Sequence, residues 1–320
     1  MKILAVQNRM GIGDTVIFLP FIKALSKKFN SPISLLVKES SKAEQYLYQT
    51  EYIDKIIILE RDKINDNRHG GFFGSINLIK EIRKYSFEKI FIFNSSLRFN
   101  LIAKLSGIPK IYQYPLFQKT KQHIVNTPKK FLKHELDLNV NEDPHIKVEN
   151  IIIQKSIEKF KIKSSEMNVL LGIGGSGPSK RIPAKTFLNV IEKLLNVKKC
   201  RFFLATGKDK GEQEILKEIL NSRFKNVCTR LDDLSIKENL PIIKNCKISI
   251  CNDSSFSHLS AALGVKTITL MADAPLIYGS YSSKMFPIIP DGEETVTHNT
   301  SGKEKINPQK IFNKILEITN

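Results

Sequence analysis

Short apolar runs rich in β-branched residues alternate with amphipathic segments along the whole chain. This alternation is typical of parallel strands joined by crossover helices, so the sequence predicts an α/β fold. A helix is predicted over about 15–29, because Phe18, Ile22, Leu25 and Phe29 recur at helical spacing. The predicted strands are 2–6, 33–37, 56–59 and 89–93 in the first half and 168–173, 201–206, 247–251 and 266–271 in the second.

The length predicts two domains, since 320 residues exceed the roughly 100–200 residues of a typical single core. The segment 118–163 contains Pro128 and Pro144 and has weak periodicity, and a new strand begins at 168. We therefore expect Rossmann-like domains over 1–160 and 161–320. The last predicted helix, 307–319, is a candidate for packing back on the N-terminal domain.

The charge balance favours anionic partners, because 50 Lys and Arg face 32 Asp and Glu, for a net charge of +18. Phosphates, acidic lipid surfaces and nucleic acid all fit this sign. The lysines are scattered along the chain, so the excess of positive charge is equally well interpreted as a compositional bias of the whole chain. The four cysteines form no close CxxC pair and predict buried free thiols and no zinc site.

The N-terminal sequence MKILAVQN leads directly into a glycine-containing turn and leaves no room for a secretory signal. No stretch approaches the roughly 18 uninterrupted apolar residues that a spanning helix requires. The expected location is the cytoplasm.

The first predicted strand is followed by Gly11, Gly13 and Asp14, and then by a helix. Open α/β sheets bind ligands at the carboxyl ends of their strands, and glycines let backbone amides approach a ligand. The turn lacks the third glycine of a dinucleotide fingerprint. Asp14 is therefore either a functional carboxylate or an ordinary helix N-cap.

The strand 168–173 is followed by a loop with glycines, hydroxyls and two adjacent cations, among them Gly175, Ser176, Ser179, Lys180 and Arg181. Such a strand-to-helix loop suits a pyrophosphate. The spacing is not that of a Walker loop, so ATP hydrolysis is not indicated. The alternative is a flexible loop with solvated cations.

A second polar cluster follows the strand 247–251 and contains Asp253, Ser254, Ser255 and His258. The two serines fall in the first turn of the next helix, where free amides attract phosphate. Asp253 can cap that helix or bind sugar hydroxyls. His258 alone is interpreted as a packed or partly exposed helix histidine rather than a catalytic residue.

Four segments, 11–29, 94–110, 177–187 and 252–270, together resemble the ADP-heptose heptosyltransferases, one of the GT-B glycosyltransferase families. The most specific is NDSSFSHLSAALGVKTITL at 252–270. The resemblance implies a GT-B fold, with two Rossmann-like domains facing a central cleft. It also implies transfer of a heptose from ADP-heptose to a lipopolysaccharide core or related glycan, with inversion, no metal and no cofactor.

The resemblance also implies roles for individual residues. Asp14 corresponds to the general base, Lys180 to the lysine that neutralises the donor phosphates and Asp253 to the aspartate near the donor sugar. The further donor-binding residues are Gly175, Ser176, Ser179, Arg181, Ser254, Ser255 and His258. The acceptor-binding residues are Gly13, Arg98 and His134.

The implied partners are a nucleotide-sugar donor and a glycolipid or glycan acceptor, with peripheral contact to the anionic inner face of the membrane and no nucleic acid. Ile182 and Ser255 stand where the family carries Trp and Gly, which leaves the donor sugar and base open. Four alternatives remain. They are a relative using another nucleotide sugar, an epimerase with the same cleft, an inactive family member, and a non-enzymatic phosphate- or nucleic-acid-binding protein without a recognisable nucleic-acid motif.

Overall fold

The computed structural model describes residues 1–61, 67–116 and 122–319. The chain forms two compact units, Met1–Pro144 and His145–Asn320. The sequence placed this boundary at 160, after the helix Asn150–Phe160, whereas that helix belongs to the second unit. The amide of Ile146 already donates to the carbonyl of Ala262 at 2.9 Å, so the chain joins the second unit immediately after Pro144.

The first unit contains five strands and four α-helices among its described residues. The strands are β1 (Ile3–Gln7), β2 (Ile33–Lys38), β3 (Ile53–Leu59), β4 (Lys89–Ile92) and β5 (Lys110–Gln113). The helices are α1 (Ile12–Phe29), α2 (Gly71–Arg83), α3 (Leu97–Leu105) and α4 (Asn126–Leu136).

The second unit contains six strands and six α-helices among its described residues. The strands are β6 (Met167–Gly172), β7 (Cys200–Ala205), β8 (Cys228–Arg230), β9 (Ile248–Asn252), β10 (Lys266–Leu270) and β11 (Met285–Ile288). The helices are α5 (Asn150–Phe160), α6 (Ala184–Leu195), α7 (Lys210–Leu220), α8 (Ile236–Lys244), α9 (Ser255–Ala262) and α10 (Pro308–Thr319).

Both sheets are parallel and doubly wound, as the alternating pattern predicts. The first has the order β3-β2-β1-β4-β5 and the second β11-β10-β9-β6-β7-β8. The strand order reverses between β1 and β4 in the first sheet and between β6 and β9 in the second. Ligands of such sheets bind at the carboxyl ends of the strands beside this switch point.

Three strands were not predicted from the sequence, and each lies at an edge of its sheet. β8 has only three residues, β5 is half exposed, and β11 contains Pro287, which is tolerated in an edge strand. None of them shows the long buried apolar run that identifies a central strand. The strands that were predicted include the two pairs that flank the switch points.

Each unit has its own apolar core. In the first, α2 and α3 pack on one face of the sheet through residues such as Leu78, Ile82 and Phe99. In the second, α6 and α10 share a core with the central strands. From the sequence, α10 was a candidate for packing on the first domain. In the structure, its residues Ile311 and Ile315 are fully buried in the core of the second unit. In the described part of the chain, no helix is both long and apolar enough to cross a membrane.

Gly172, the last residue of β6, provides a test of packing at the second switch point. A Cβ placed there would lie 2.6 Å from Cys251 Sγ and 2.8 Å from its Cβ. We expect Gly172→Ala to lower the free energy of unfolding by about 1–3 kcal/mol through overpacking. Gly177→Ala is the control, because its Cβ would enter open space. Equal unfolding midpoints in urea for the two variants would contradict the packing.

Candidate active site

An ion pair joins the two loops at the switch point of the second sheet. Lys180 ends the short 3₁₀ turn Pro178–Lys180 after β6, and Asp253 directly follows β9. Lys180 Nζ lies 2.5 Å from Asp253 Oδ2, with the carboxylate buried and the lysine partly buried. Asn252 reinforces the link, since its Nδ2 donates to the carbonyl of Ile173 at 2.9 Å. Topology therefore brings together two residues 73 positions apart.

The loop after β6 is built on a buried glutamate. The amide of Gly175 donates to Glu212 Oε1 at 2.7 Å, and a Cβ at Gly174 would lie 2.7 Å from the same oxygen. Arg181 Nε donates to the carbonyl of Gly175 at 3.0 Å, and Arg181 Nη1 lies 2.6 Å from Asp209 Oδ1. Gly175 and Arg181 thus hold the loop in shape, and Gly174 must be a glycine because the backbone approaches Glu212 closely there, not because it has a positive φ.

A third loop, after β10, is tied to the same site. Asp273 accepts a hydrogen bond from the hydroxyl of Ser179, and its Oδ1 accepts another from the amide of Ser301 at 2.8 Å. These bonds, in that order, lower the pKa of the Asp273 carboxyl below its usual range. Ser179 therefore connects two loops, whereas Ser176 is exposed. Three adjacent strands contribute loops to one polar cluster.

Helix α9 begins at this cluster with free polar groups. Ser254 is its N-cap residue but its side chain makes no capping hydrogen bond, and Ser255 is the first helical residue. Among the described residues, the buried Ser254 Oγ has no hydrogen-bond partner. First-turn amides and a free hydroxyl beside Lys180 form a site suited to an anion.

His258 lies behind Asp253 in the first two turns of α9. Its Nδ1 is 2.8 Å from the Tyr281 hydroxyl, and its Nε2 is 3.9 Å from Asp253 Oδ1. Burial lowers the pKa of His258 to about 4, outweighing the attraction of Asp253, while Lys180 lowers it further. The imidazole is therefore neutral near pH 7, and Lys180 is the cation beside Asp253.

Asp14 lies in the first turn of α1, which begins earlier than predicted, at Ile12. The N-cap of this helix is Gly11, with φ 97° and no side-chain capping bond, so the interpretation of Asp14 as the N-cap is wrong. Gly13 and Asp14 are both partly exposed at the carboxyl end of β1. The first turn carries partial positive charge from the helix dipole, which stabilises an ionised carboxylate there.

The other predicted first-unit residues differ in environment. Arg98 Nε donates to Ser75 Oγ at 2.8 Å, Nη2 donates to the carbonyl of His69, and Nη1 is buried without a partner among the described residues. Burial lowers the pKa of Arg98, and Arg61 lowers it further. His134, in contrast, is exposed in the last turn of α4 and contacts Glu135. Arg98 is held in place, whereas His134 faces solvent.

Sequence reasoning missed four residues of the site: Asp209, Glu212, Asp273 and Tyr281. A signal was available for two of the loops, because polar residues also follow the predicted strands 201–206 and 266–271. Parallel strands end at one edge, so these loops belong beside the other two. In residues 1–61, 67–116 and 122–319, no group of three or more His, Cys, Asp or Glu side chains could hold a metal ion.

Comparison with known proteins agrees with this architecture. Residues 77–316 match the family described as Glycosyltransferase family 9 (heptosyltransferase). Lipooligosaccharide heptosyltransferase 2 of Campylobacter jejuni is 25% identical over 251 residues, which cover 75% of each chain. A family 9 glycosyl transferase from Veillonella parvula superposes with a TM-score of 0.80 at 17% identity, covering 99% of this chain and 97% of that one. The E. coli heptosyltransferase WaaC with ADP-2-deoxy-2-fluoro heptose gives 0.71 at 13% identity, covering 99% and 100%.

The fold and the polar cluster at the second switch point thus define a GT-B glycosyltransferase. The family match covers well over half of the chain. The protein belongs to glycosyltransferase family 9, the heptosyltransferase family, which confirms the resemblance found in the sequence.

The neutral His258 predicts a specific dependence of stability on pH. The unfolded chain binds a proton near pH 6.5, whereas the folded imidazole does so only near pH 4. Stability is therefore lost as the pH falls from 6.5 to 4, and this group alone should remove about 2–3 kcal/mol at pH 4.5. The wild type should therefore lose unfolding free energy between pH 7 and pH 4.5 in part because of His258. We expect this loss to be smaller in His258→Gln by that contribution.

The control is His134→Gln, which replaces an exposed imidazole and should leave the pH dependence as in the wild type. His258→Gln also loses the contact with Tyr281, so it will be less stable at both pH values. Only the difference between the two pH values tests the prediction. If the variant retains the full wild-type difference, the imidazole is not held neutral by burial.

Proposed function

We propose that the protein transfers a heptose from ADP-heptose to a lipopolysaccharide core or related glycan acceptor, with inversion and without a metal. The observation that carries the proposal is the Lys180 and Asp253 pair beside the open start of α9. Membership of family 9 supports the reaction class. The names of its relatives support the sugar and the acceptor, and the ADP-linked ligand of the E. coli structure supports the donor.

In this proposal the donor diphosphate binds between Lys180 and the first turn of α9. The ammonium group and the helix amides attract the phosphates, and the free hydroxyl of Ser254 offers a further hydrogen bond. These groups are aimed at the charge that develops on the departing nucleoside diphosphate. Asp253, already an acceptor for Lys180, has a second oxygen for a hydroxyl of the donor sugar.

Asp14 is proposed as the general base. Its carboxylate removes the proton from the acceptor hydroxyl as that oxygen attacks the anomeric carbon. Attack on the face opposite the diphosphate breaks the glycosidic bond and inverts the anomeric centre. Because Lys180 and the α9 amides supply the positive charge for the leaving group, the scheme requires no divalent ion. Gly13, Arg98 and His134 are proposed to contact the acceptor.

Donor identity is tested by a thermal-shift panel of ADP, UDP, GDP, CMP and their sugars, since a ligand that binds only the folded protein raises its melting temperature. We expect the largest shift with ADP-heptose and a loss of most of that shift in Lys180→Gln. Lys185→Gln removes an exposed cation from α6 and is the matched control. A selective shift with another nucleotide overturns the donor, and no shift with any ligand argues against the enzyme.

The general base is tested by Asp14→Asn, which keeps the shape of the side chain and removes its basicity. We expect kcat to fall at least about 100-fold while the donor-induced thermal shift is retained. Glu88→Gln, an exposed change in the same unit, should leave kcat unchanged. Assays containing EDTA test metal independence in parallel. Wild-type turnover by Asp14→Asn would exclude Asp14 as the base, and loss of wild-type activity in EDTA would exclude the metal-free scheme.

A further inference from the structure

Two adjacent phenylalanines project from the start of α2. Phe72 and Phe73 are 77% and 79% exposed, and their rings form an edge-to-face pair with centroids 5.8 Å apart. Single exposed apolar residues are common, but two large aromatic side chains at one helix start leave a substantial apolar area in water.

The backbone around this pair is firmly anchored. A Cβ at Gly74 would lie 2.3 Å from the carbonyl carbon of His69, so the helix start packs directly on that residue. His69 is fully buried, and its ring nitrogens contact the amide of Glu60 at 3.1 Å and the carboxylate of Glu81 at 3.2 Å. The two rings are therefore held outward by a packed turn.

Helix α3 adds a second apolar strip. Leu97, Leu101 and Leu105 are 48%, 48% and 56% exposed and recur every four residues, so they lie along one side of the helix. Arg98 joins α3 to α2 through Ser75, and both helices pack on the same face of the first sheet. Their exposed residues therefore belong to neighbouring helices. We call the exposed set, Phe72, Phe73, Leu97, Leu101, Leu105, Lys80, Lys84 and Lys104, the α2/α3 surface.

This region is strongly basic. Residues 67–110 contain eight Lys and Arg but only two Glu, so these side chains give a net charge of +6. Both acids are already engaged: Glu81 pairs with Arg68 at 3.1 Å, and Glu88 accepts from the amide of Lys2 at 3.0 Å. Exposed apolar side chains accompanied by exposed lysines complement a layer that is anionic outside and apolar beneath.

We propose that the α2/α3 surface docks the protein on a phospholipid bilayer with anionic headgroups. The aromatic and leucine side chains enter the boundary between headgroups and acyl chains, and the lysines pair with the lipid phosphates. The inference deepens the proposed function, on which it rests for its purpose, because a lipopolysaccharide core acceptor is anchored in a membrane. Docking brings the first unit to the surface where such an acceptor is presented.

The test is sedimentation of the full-length protein with vesicles of phosphatidylcholine alone or mixed with phosphatidylglycerol. We expect binding only to the mixed vesicles. The double variant Phe72→Ser, Phe73→Ser should bind them at least about tenfold more weakly. The matched control is Ile151→Ser, Val197→Ser, which removes two apolar side chains that are 61% and 54% exposed in the second unit. This control should bind as the wild type does.

The electrostatic part is tested by Lys80→Gln, Lys84→Gln. Each lysine near an anionic surface contributes about fivefold to the affinity. The double variant should therefore bind the mixed vesicles roughly 25-fold more weakly at low salt, and the loss should be smaller at high salt. Lys217→Gln, Lys225→Gln removes two exposed lysines of the second unit as the control. Equal losses in the two lysine variants would show a general charge effect and overturn the assignment of the surface.

Two further results would overturn the proposal. One is that the wild-type protein binds neither kind of vesicle, or binds both kinds equally well. The other is a concentration-dependent dimer, measured by light scattering, that disappears in the phenylalanine variant, because the surface would then be covered by a second copy. Sugar transfer is measured separately on an acceptor without acyl chains. Transfer without vesicle binding overturns only the docking proposal, and vesicle binding without transfer overturns only the proposed function.

Discussion

The geometry of the candidate site in the second unit depends on one interaction, the ion pair of Lys180 and Asp253 across the switch point of the second sheet. Two charges removed from water are costly, and their attraction compensates only when the remaining lone pairs and protons are satisfied. The loops that carry the pair are held by their own hydrogen bonds: Asn252 Nδ2 donates to the carbonyl of Ile173, and Asp273 Oδ1 accepts from the amide of Ser301. The pair therefore exists because parallel strands β6 and β9 are neighbours that end at the same edge.

The site separates groups that are committed to structure from groups that are open to a ligand. Gly175 and Arg181 bond to each other and to Glu212 and Asp209, so their first role is to shape the loop. In contrast, the N-terminus of α9 has no side-chain capping bond, and Ser254 Oγ has no hydrogen-bond partner among the described residues. Because the loop is already fixed, a diphosphate binding there loses little free energy to ordering the protein.

Much of the fold followed from the sequence because central strands of a parallel sheet are buried on both faces and appear as continuous apolar runs. The short edge strands β5, β8 and β11 lack this signal. For the site, motif residues adjacent to strands were predictable, and Lys180 with Asp253 is the clearest case. Glu212 was not, because its role depends on a close approach to Gly174 that only the folded backbone creates. The neutrality of His258 likewise depends on burial, which no local pattern specifies.

The proposed donor site is tested most directly by a crystal structure of the protein with an unreactive ADP-heptose analogue. We expect diphosphate oxygens within hydrogen-bond distance of Lys180 Nζ and of the first-turn amides of α9, with a sugar hydroxyl on Asp253. A diphosphate bound elsewhere, with Lys180 and Asp253 still paired as in the free protein, would contradict it.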